Sequence, residues 1–358
     1  MSSRSARNGV LAWFDERLGL GAAVDFLRHK TVPQHRYSVL YYLGGVSLFL
    51  FAVQVGTGLL LLIYYHPTPE GAFESVRFIT AQVPFGWLVR SLHSWSANLM
   101  VLAVFLHMFS VYFMKAYAPP RELTWLSGMT LLGLTMAFGF SGYLLPWNEL
   151  AFFATKVGTD IVGSLPGIGH TLIRYLRGGE EVSGATLTRF FGWHVALLPA
   201  LFTAVLAVHL LLVQRLGMHE PPRASTHGRM PFYPGFLLRD AILWLGVLAV
   251  LLILCTFLPW ELGVKADPFK PAPAGIRPEW FFTFLSQSLK YVPARVLGVE
   301  GEVVAIVAVG LGGLVFFLAP FLDWRAARGK PSPLFTLFGI MALLYMATMT
   351  LLAYVKPY

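Results

Sequence analysis

Seven stretches of 20 or more residues run without an Asp, Glu, Lys or Arg: Ser38–Tyr65, Ser91–Met114, Leu123–Asn148, Phe190–Gln214, Ala241–Trp260, Val303–Leu322 and Pro331–Val355. A helix of about 20 apolar residues spans the hydrocarbon core of a bilayer, so the pattern predicts seven transmembrane helices, A to G. Backbone groups in lipid must be satisfied inside a helix or a closed barrel. The alternating ten-residue segments of a barrel are absent, which predicts an all-α membrane protein. Ahead of helix A, residues 10–28 set Val10, Leu11, Trp13, Phe14 and Leu18 against Asp15, Glu16 and Arg17. That is the pattern of an interfacial helix lying along the membrane. Acidic residues among the bases of Met1–Arg36, and no early apolar core, argue against a cleaved signal.

Composition agrees: 56% of the 358 residues are hydrophobic and 13% charged, far less charge than a soluble core of this size carries. With the N-terminus on the cytoplasmic side, the inner segments hold 15 of the 27 Lys and Arg and the outer ones 12. This weak bias follows the positive-inside rule and sharpens once the long outer loops are discounted. The formal charge of +9 is then a topology effect, since no basic stripe interleaved with aromatics suggests nucleic acid. Cys255 is the only cysteine and lies in helix E, so no disulfide, zinc site, iron–sulfur ligation or CxxCH haem attachment is available.

Buried inside these runs are four histidines, and an imidazole in lipid requires a reason. His93 and His107 are 14 apart in helix B, and His194 and His209 are 15 apart in helix D. Both spacings approach four helical turns, so each helix carries its two rings on nearly one face, roughly 21 Å apart along the axis. Packed together, the two helices offer two separated His/His couples. Zinc would draw four ligands to one point, whereas separated couples suit axial ligation on either side of a porphyrin. A lone intramembrane histidine could equally be a proton relay or a packing residue; four at matched depths favour iron. Glycines supply room for a flat macrocycle: Gly44 and Gly58 in helix A, and Gly128 and Gly142 in helix C, are also 14 apart.

These pairs, together with Gly142-Tyr143-Leu144-Leu145-Pro146-Trp147 and Pro278-Glu279-Trp280-Phe281, resemble cytochrome b of the quinol-oxidising cytochrome bc complexes along nearly the whole chain. The 15-residue spacing in helix D and the run Pro120-Arg121-Glu122-Leu123-Thr124-Trp125 look most like the photosynthetic-type version, usually split in two and here continuous. The resemblance implies an N-terminal interfacial segment (1–37), a four-helix bundle A–D enclosing two haems (38–220) and a three-helix quinol-site part E–G (221–358). His93 and His194 would ligate a lower-potential b-type haem near the outer face, and His107 and His209 a higher-potential one near the cytoplasmic face. The glycines would flank the haems and Arg90 would meet the outer haem's propionates, with snorkelling to headgroups as the plainer alternative.

The resemblance also implies an outer quinol-oxidation pocket lined by Phe140, Tyr143, Pro146, Ala154, Pro278, Trp280 and Phe281. Glu279 would accept a quinol proton there, unless it merely caps the following helix. An inner quinone-reduction pocket would use Asp240, with Arg215 and His219 weaker candidates. One electron would pass to a Rieske-type iron–sulfur partner and then a c-type cytochrome, the other across the two haems, coupled to proton translocation. A homodimer within a multisubunit complex in the bacterial inner membrane is implied as well. Three positions depart from the pattern: Phe281 stands where the motif usually has tyrosine, Tyr42 where photosynthetic-type relatives carry a haem-attaching cysteine, and Ala154 where the mitochondrial type has glycine. A di-haem anchor for a quinone-linked dehydrogenase would explain the histidines equally well, but not the Pro278–Phe281 motif or three further helices. A transporter with histidine relays would predict inverted repeats, and none stands out.

Overall fold

The computed structural model describes residues 9–221, 228–273 and 275–355; Met1–Asn8 of the expected N-terminal segment lie outside the described residues. The single interfacial helix expected over residues 10–28 is two helices, α1 (Gly9–Leu18) and α2 (Leu20–His29). Gly19 between them has φ 62°, a left-handed conformation that ends the first helix at little cost only because the residue lacks a Cβ. Val10, Trp13, Phe14 and Leu18 on α1 are exposed.

A short strand, β1 (Thr31–Pro33), leads into α3 (Tyr42–Leu62), the first span. After the amphipathic α4 (Ala72–Ala81) come α5 (Gly86–Phe113) and α6 (Glu122–Leu144). Three shorter helices then cover one end of the bundle: α7 (Glu149–Gly163), α8 (Gly169–Arg177) and α9 (Gly184–Gly192). The α7 start is capped by Asn148, whose side chain accepts from the Ala151 N–H at 2.8 Å. From α9 the chain passes through a π-helical turn, Trp193–Leu197, into α10 (Leu198–Leu216). Strand β2 (Arg229–Pro231) pairs antiparallel with β1, with Val32 opposite Met230, and fastens the N-terminal segment beside the start of α11 (Leu237–Phe257).

The C-terminal part comprises α12 (Trp280–Tyr291), a hairpin of β3 (Arg295–Val296) and β4 (Val299–Glu300), α13 (Gly301–Phe317), the single turns α14 (Ala319–Leu322) and α15 (Trp324–Ala327), and α16 (Pro333–Val355). Among the described residues six helices are long and apolar enough to cross a membrane, and α13 forms a shorter apolar seventh of 17 residues. The run expected to continue to Leu322 breaks after Phe317 because Pro320 has no N–H to donate back into the helix and its ring crowds the preceding turn.

The long helices pack in pairs, α3 along α5 and α6 along α10, while α11 lies against α3 and α5, and α12 against α16. Leu50, Met100, Ala103, Leu131, Phe202 and Leu251, one or two from each of α3, α5, α6, α10 and α11, form a dry layer at mid-bundle. Its outward faces are apolar too: Leu59, Leu211, Leu245, Leu311 and Leu344 are each about half exposed or more. A soluble protein would hide such a surface, so these faces meet lipid and the protein is multi-pass in the membrane.

Candidate functional site

The four predicted histidines converge as two couples, one on each side of the apolar layer. The ring centres of His93 on α5 and His194 in the π turn lie 6.4 Å apart at an interplanar angle of 72°. Two imidazole–metal bonds of about 2 Å, plus roughly 1.1 Å from each ring centre to its nitrogen, put trans ligands about 6 Å apart centre to centre. The couple therefore leaves the gap an iron needs. At the other level His107 comes within electrostatic reach of His209.

The π turn explains the unequal spacing in the sequence. On a regular helix, 15 residues would rotate His194 about 100° further round than 14 do. A π turn takes up one extra residue, and Trp193–Leu197 is where α9–α10 contains one. His194 and His209 thus keep the levels of their partners on α5.

Each of the four glycines backs one of the rings. A Cβ on Gly58 would lie 3.3 Å from His93 Cε1, on Gly44 3.3 Å from His107 Cε1, and on Gly128 3.2 Å from His209 Cε1. At Gly142 it would lie 2.5 Å from His194 Cε1, closer than real contacts allow. The missing side chains thus admit the edge of an imidazole. Antiparallel packing of α3 on α5 and of α6 on α10 follows from the same four contacts. Gly142→Ala is accordingly expected to lose bound haem while Gly58→Ala keeps most of it, as haem per protein in a pyridine haemochrome assay would report; equal retention would refute the ranking.

Hydroxyls that the sequence reading did not single out orient three of the rings. Thr57 Oγ1 lies 2.9 Å from His93 Nδ1, Ser127 Oγ 3.0 Å from His209 Nδ1, and Ser141 Oγ 3.1 Å from His194 Nδ1. Each hydroxyl donates its own proton to a carbonyl one turn back, Val53, Thr124 and Ala137 respectively. Each can then accept Nδ1–H, and a backbone carbonyl of Gln54, Thr124 or Phe138 also bonds the same ring; the tautomer so favoured keeps Nε2 free as a metal ligand. Their signal in the sequence is a Ser or Thr immediately before a glycine. Gln54 adds a brace, its amide donating to the His93 carbonyl at 2.5 Å and to Ser96 Oγ at 2.7 Å.

Arg90 is 6% exposed, and its guanidinium donates to the Trp260 and Glu261 carbonyls at 2.5 and 2.9 Å. With Ser91 Oγ accepting from Trp260 N–H and Trp95 donating to the Leu258 carbonyl, α5 holds the loop that follows α11. The same loop bonds the elbow before α7, where Asn148 donates to the Leu262 carbonyl and Glu149 N–H to that of Val264.

Between these anchors and α12 opens a cavity of about 510 Å³, lined by Tyr143, Pro278, Glu279 and Trp280 and also by Trp95, Asn98, Trp260, Arg277 and Tyr354. Glu279 stands at the N-cap position of α12, but its carboxyl makes no capping hydrogen bond. Burial holds that carboxyl above the usual carboxylate range. The other predicted pocket residues do not line this space. Phe281, 5% exposed, packs against Gly139 and the Phe282 ring; Phe140 meets Phe190 and Phe282; Ala154 is buried in α7; and Pro146 is half-buried just after α6. Trp280 is held by Asn98, which accepts its indole N–H at 2.8 Å.

On the opposite side of the bundle Asp240 is 8% exposed in the first turn of α11 and presses on Gly45, next to the glycine that backs His107. Its Oδ1 has no partner among the described residues. Tyr42 stacks on Phe236 at 4.6 Å beside it. His219 offers its carbonyl to Tyr41 at 2.5 Å, and Arg215 is exposed at the end of α10.

Two couples of half-buried histidines at two levels on parallel transmembrane helices define the class of helical membrane cytochromes. The family model described as cytochrome b/b6/petB matches residues 27–217, and that described as cytochrome b(C-terminal)/b6/petD matches 265–357. The chain belongs to the cytochrome b/b6 family. It is 50% identical, over 98% of its length and 82% of the relative's, to a cytochrome bc complex cytochrome b subunit of Chlorobaculum thiosulfatiphilum. It is 43% identical to the cytochrome b6 of Synechococcus sp. (strain JA-3-3Ab) over 59% of this chain and 98% of that one. A solved hyperthermophilic respiratory Complex III contains a similar chain, with TM-score 0.85 and 30% identity over 97% of this chain and 92% of that chain.

Proposed function

We propose that this chain is the membrane-embedded, quinol-oxidising cytochrome b of a bc complex, holding two b-type haems through His93/His194 and His107/His209. The observation that carries this is the first couple's 6.4 Å separation, with both Nδ1 atoms turned to hydroxyls. Haem iron bound at the two levels supplies two one-electron carriers, one toward each face of the bilayer.

The cavity beside Tyr143 and Glu279 takes the quinol, a flat apolar ring whose hydroxyls need a base. Trp95, Trp260 and Trp280 supply apolar walls, and Glu279 accepts one of the two protons the quinol loses, releasing it outward. The quinol also loses two electrons, and a chain that accepts them singly needs a second acceptor; a Rieske-type iron–sulfur protein feeding a c-type cytochrome fills that role. On the Asp240 side, the buried carboxyl delivers protons to a quinone being reduced. This places the Glu279 face outside and the N-terminus in the cytoplasm of a bacterial inner membrane, with homodimeric assembly as in the resembled complexes.

The direct test is a reduced-minus-oxidised spectrum of the purified complex together with quinol:cytochrome c reductase activity; absence of a b-type band overturns the proposal. A second test addresses the pocket wall. Asn98→Leu removes the acceptor of the half-buried Trp280 indole N–H and frees that ring in the cavity wall. Quinol oxidation is expected to slow several-fold with both haem bands intact, and unchanged kinetics would remove Asn98 from the site.

A further inference from the structure

Three of the four ring-backing glycines follow a hydroxyl residue, as Thr57-Gly58, Ser127-Gly128 and Ser141-Gly142; the fourth follows a leucine, Leu43-Gly44. The exception has a counterpart in the bundle. His93, His209 and His194 each have a hydroxyl within 3.1 Å of Nδ1, whereas the buried His107 Nδ1 has no hydrogen-bond partner among the described residues. Nearby polar groups do not substitute. Ser110 donates to the His107 carbonyl and Ser47 to the Leu43 carbonyl, while Asp240 rests on Gly45 with its own Oδ1 unpartnered.

We infer that Leu43 contributes to the potential difference between the two haem levels, by withholding from His107 the hydroxyl acceptor that the other three ligands have beside a backbone carbonyl. This rests on the proposed ligation of the iron atoms by the two couples. An imidazole that donates Nδ1–H to an acceptor gains electron density at Nε2 and becomes a more basic ligand, which favours the oxidised metal. Both ligands of the His93/His194 level are strengthened in this way. Only His209 is strengthened at the other level, so Fe(II) is comparatively favoured there and its midpoint potential lies higher. Leu43 is thus a tuning residue that acts through His107 without touching the metal. The device favours electron flow from the Glu279 side toward the Asp240 side, using one side chain on α3.

The test is Leu43→Ser in the intact complex, followed by potentiometry of the b-type bands. A serine here reproduces the geometry of Ser141-Gly142. The higher midpoint is expected to fall, by up to roughly tenfold in the redox equilibrium or about 59 mV for a one-electron couple, while the lower stays in place. Ser127→Ala is expected to do the reverse and raise the higher midpoint, and it carries the test if Leu43→Ser impairs assembly. Both bands retained with unmoved midpoints in either variant overturns the role of Leu43 and leaves the ligation intact. A wild-type complex without two b-type bands overturns the ligation itself.

Discussion

In a His194→Leu protein one b-type haem is expected to disappear and the other to remain. His194 supplies one of two ligands at its level, and leucine offers no lone pair to replace it. The His107/His209 level lies across a dry layer of Leu50, Met100, Ala103, Leu131 and Phe202, so the loss does not spread through a shared hydrogen-bond network. Haem per protein should drop from two to one, and the surviving band should be the higher-potential component. Quinol oxidation, which needs the level nearer Glu279, should fall by roughly a hundredfold or more, the scale of removing a required redox partner group rather than a packing contact. His209→Leu should show the mirror pattern and keep the lower-potential band. Retention of both bands in either variant would mean that the histidines are not the ligands.

Glu279→Gln gives the second large effect, and its sign depends on pH. The carboxyl must be ionised to take a proton from quinol, and burial raises the pH at which it ionises. Wild-type turnover should therefore climb with pH through a limb lying above the usual Glu value of about 4.3. Glutamine keeps the shape and cannot accept the proton, so the limb should vanish and the rate drop by about a hundredfold, within the range of a lost general base. Both haem spectra should be unchanged. The variant should also gain a little thermal stability that builds as pH rises from the unfolded Glu value of about 4.3 through that limb, since it no longer buries an ionisable carboxyl; below about 4.3, where the wild-type group is neutral both folded and unfolded, the two proteins should melt alike. A wild-type-like pH profile in the variant would remove Glu279 from the reaction.

Much of this site was legible in one dimension because its components are local. An uncharged run of helical length reports its own membrane span. Two histidines 14 apart report their own separation along α5, and two glycines 14 apart report the same on α3. The Pro278–Phe281 motif gave the location of Glu279, and its neighbour Trp280 does line the cavity. What the sequence obscured depends on partners far along the chain. Asn98 and Trp280 are 182 residues apart, and Arg90 reaches carbonyls 170 and 171 residues away. Phe140, Pro146, Ala154 and Phe281 were grouped with the pocket by motif proximity, but helix rotation turned Phe281 toward Gly139 and left Ala154 inside α7.

By itself the sequence determined that the chain crosses a membrane repeatedly as helices, because lipid allows no other solution for uncharged runs without barrel periodicity. It also determined which four side chains could hold iron and at what spacing, because a helix converts residue number into distance at a fixed rise. Only the tertiary structure brought the ring centres of His93 and His194 to 6.4 Å at a steep interplanar angle, since that separation depends on how α5 and α10 rotate against each other. It alone showed that the extra residue between His194 and His209 is taken up by a π turn, and that Nδ1 finds a hydroxyl on three rings and none on the fourth. Those outcomes are set by how helices rotate and slide against one another, where a shift of one residue turns a side chain by about 100°, and no single segment carries that information.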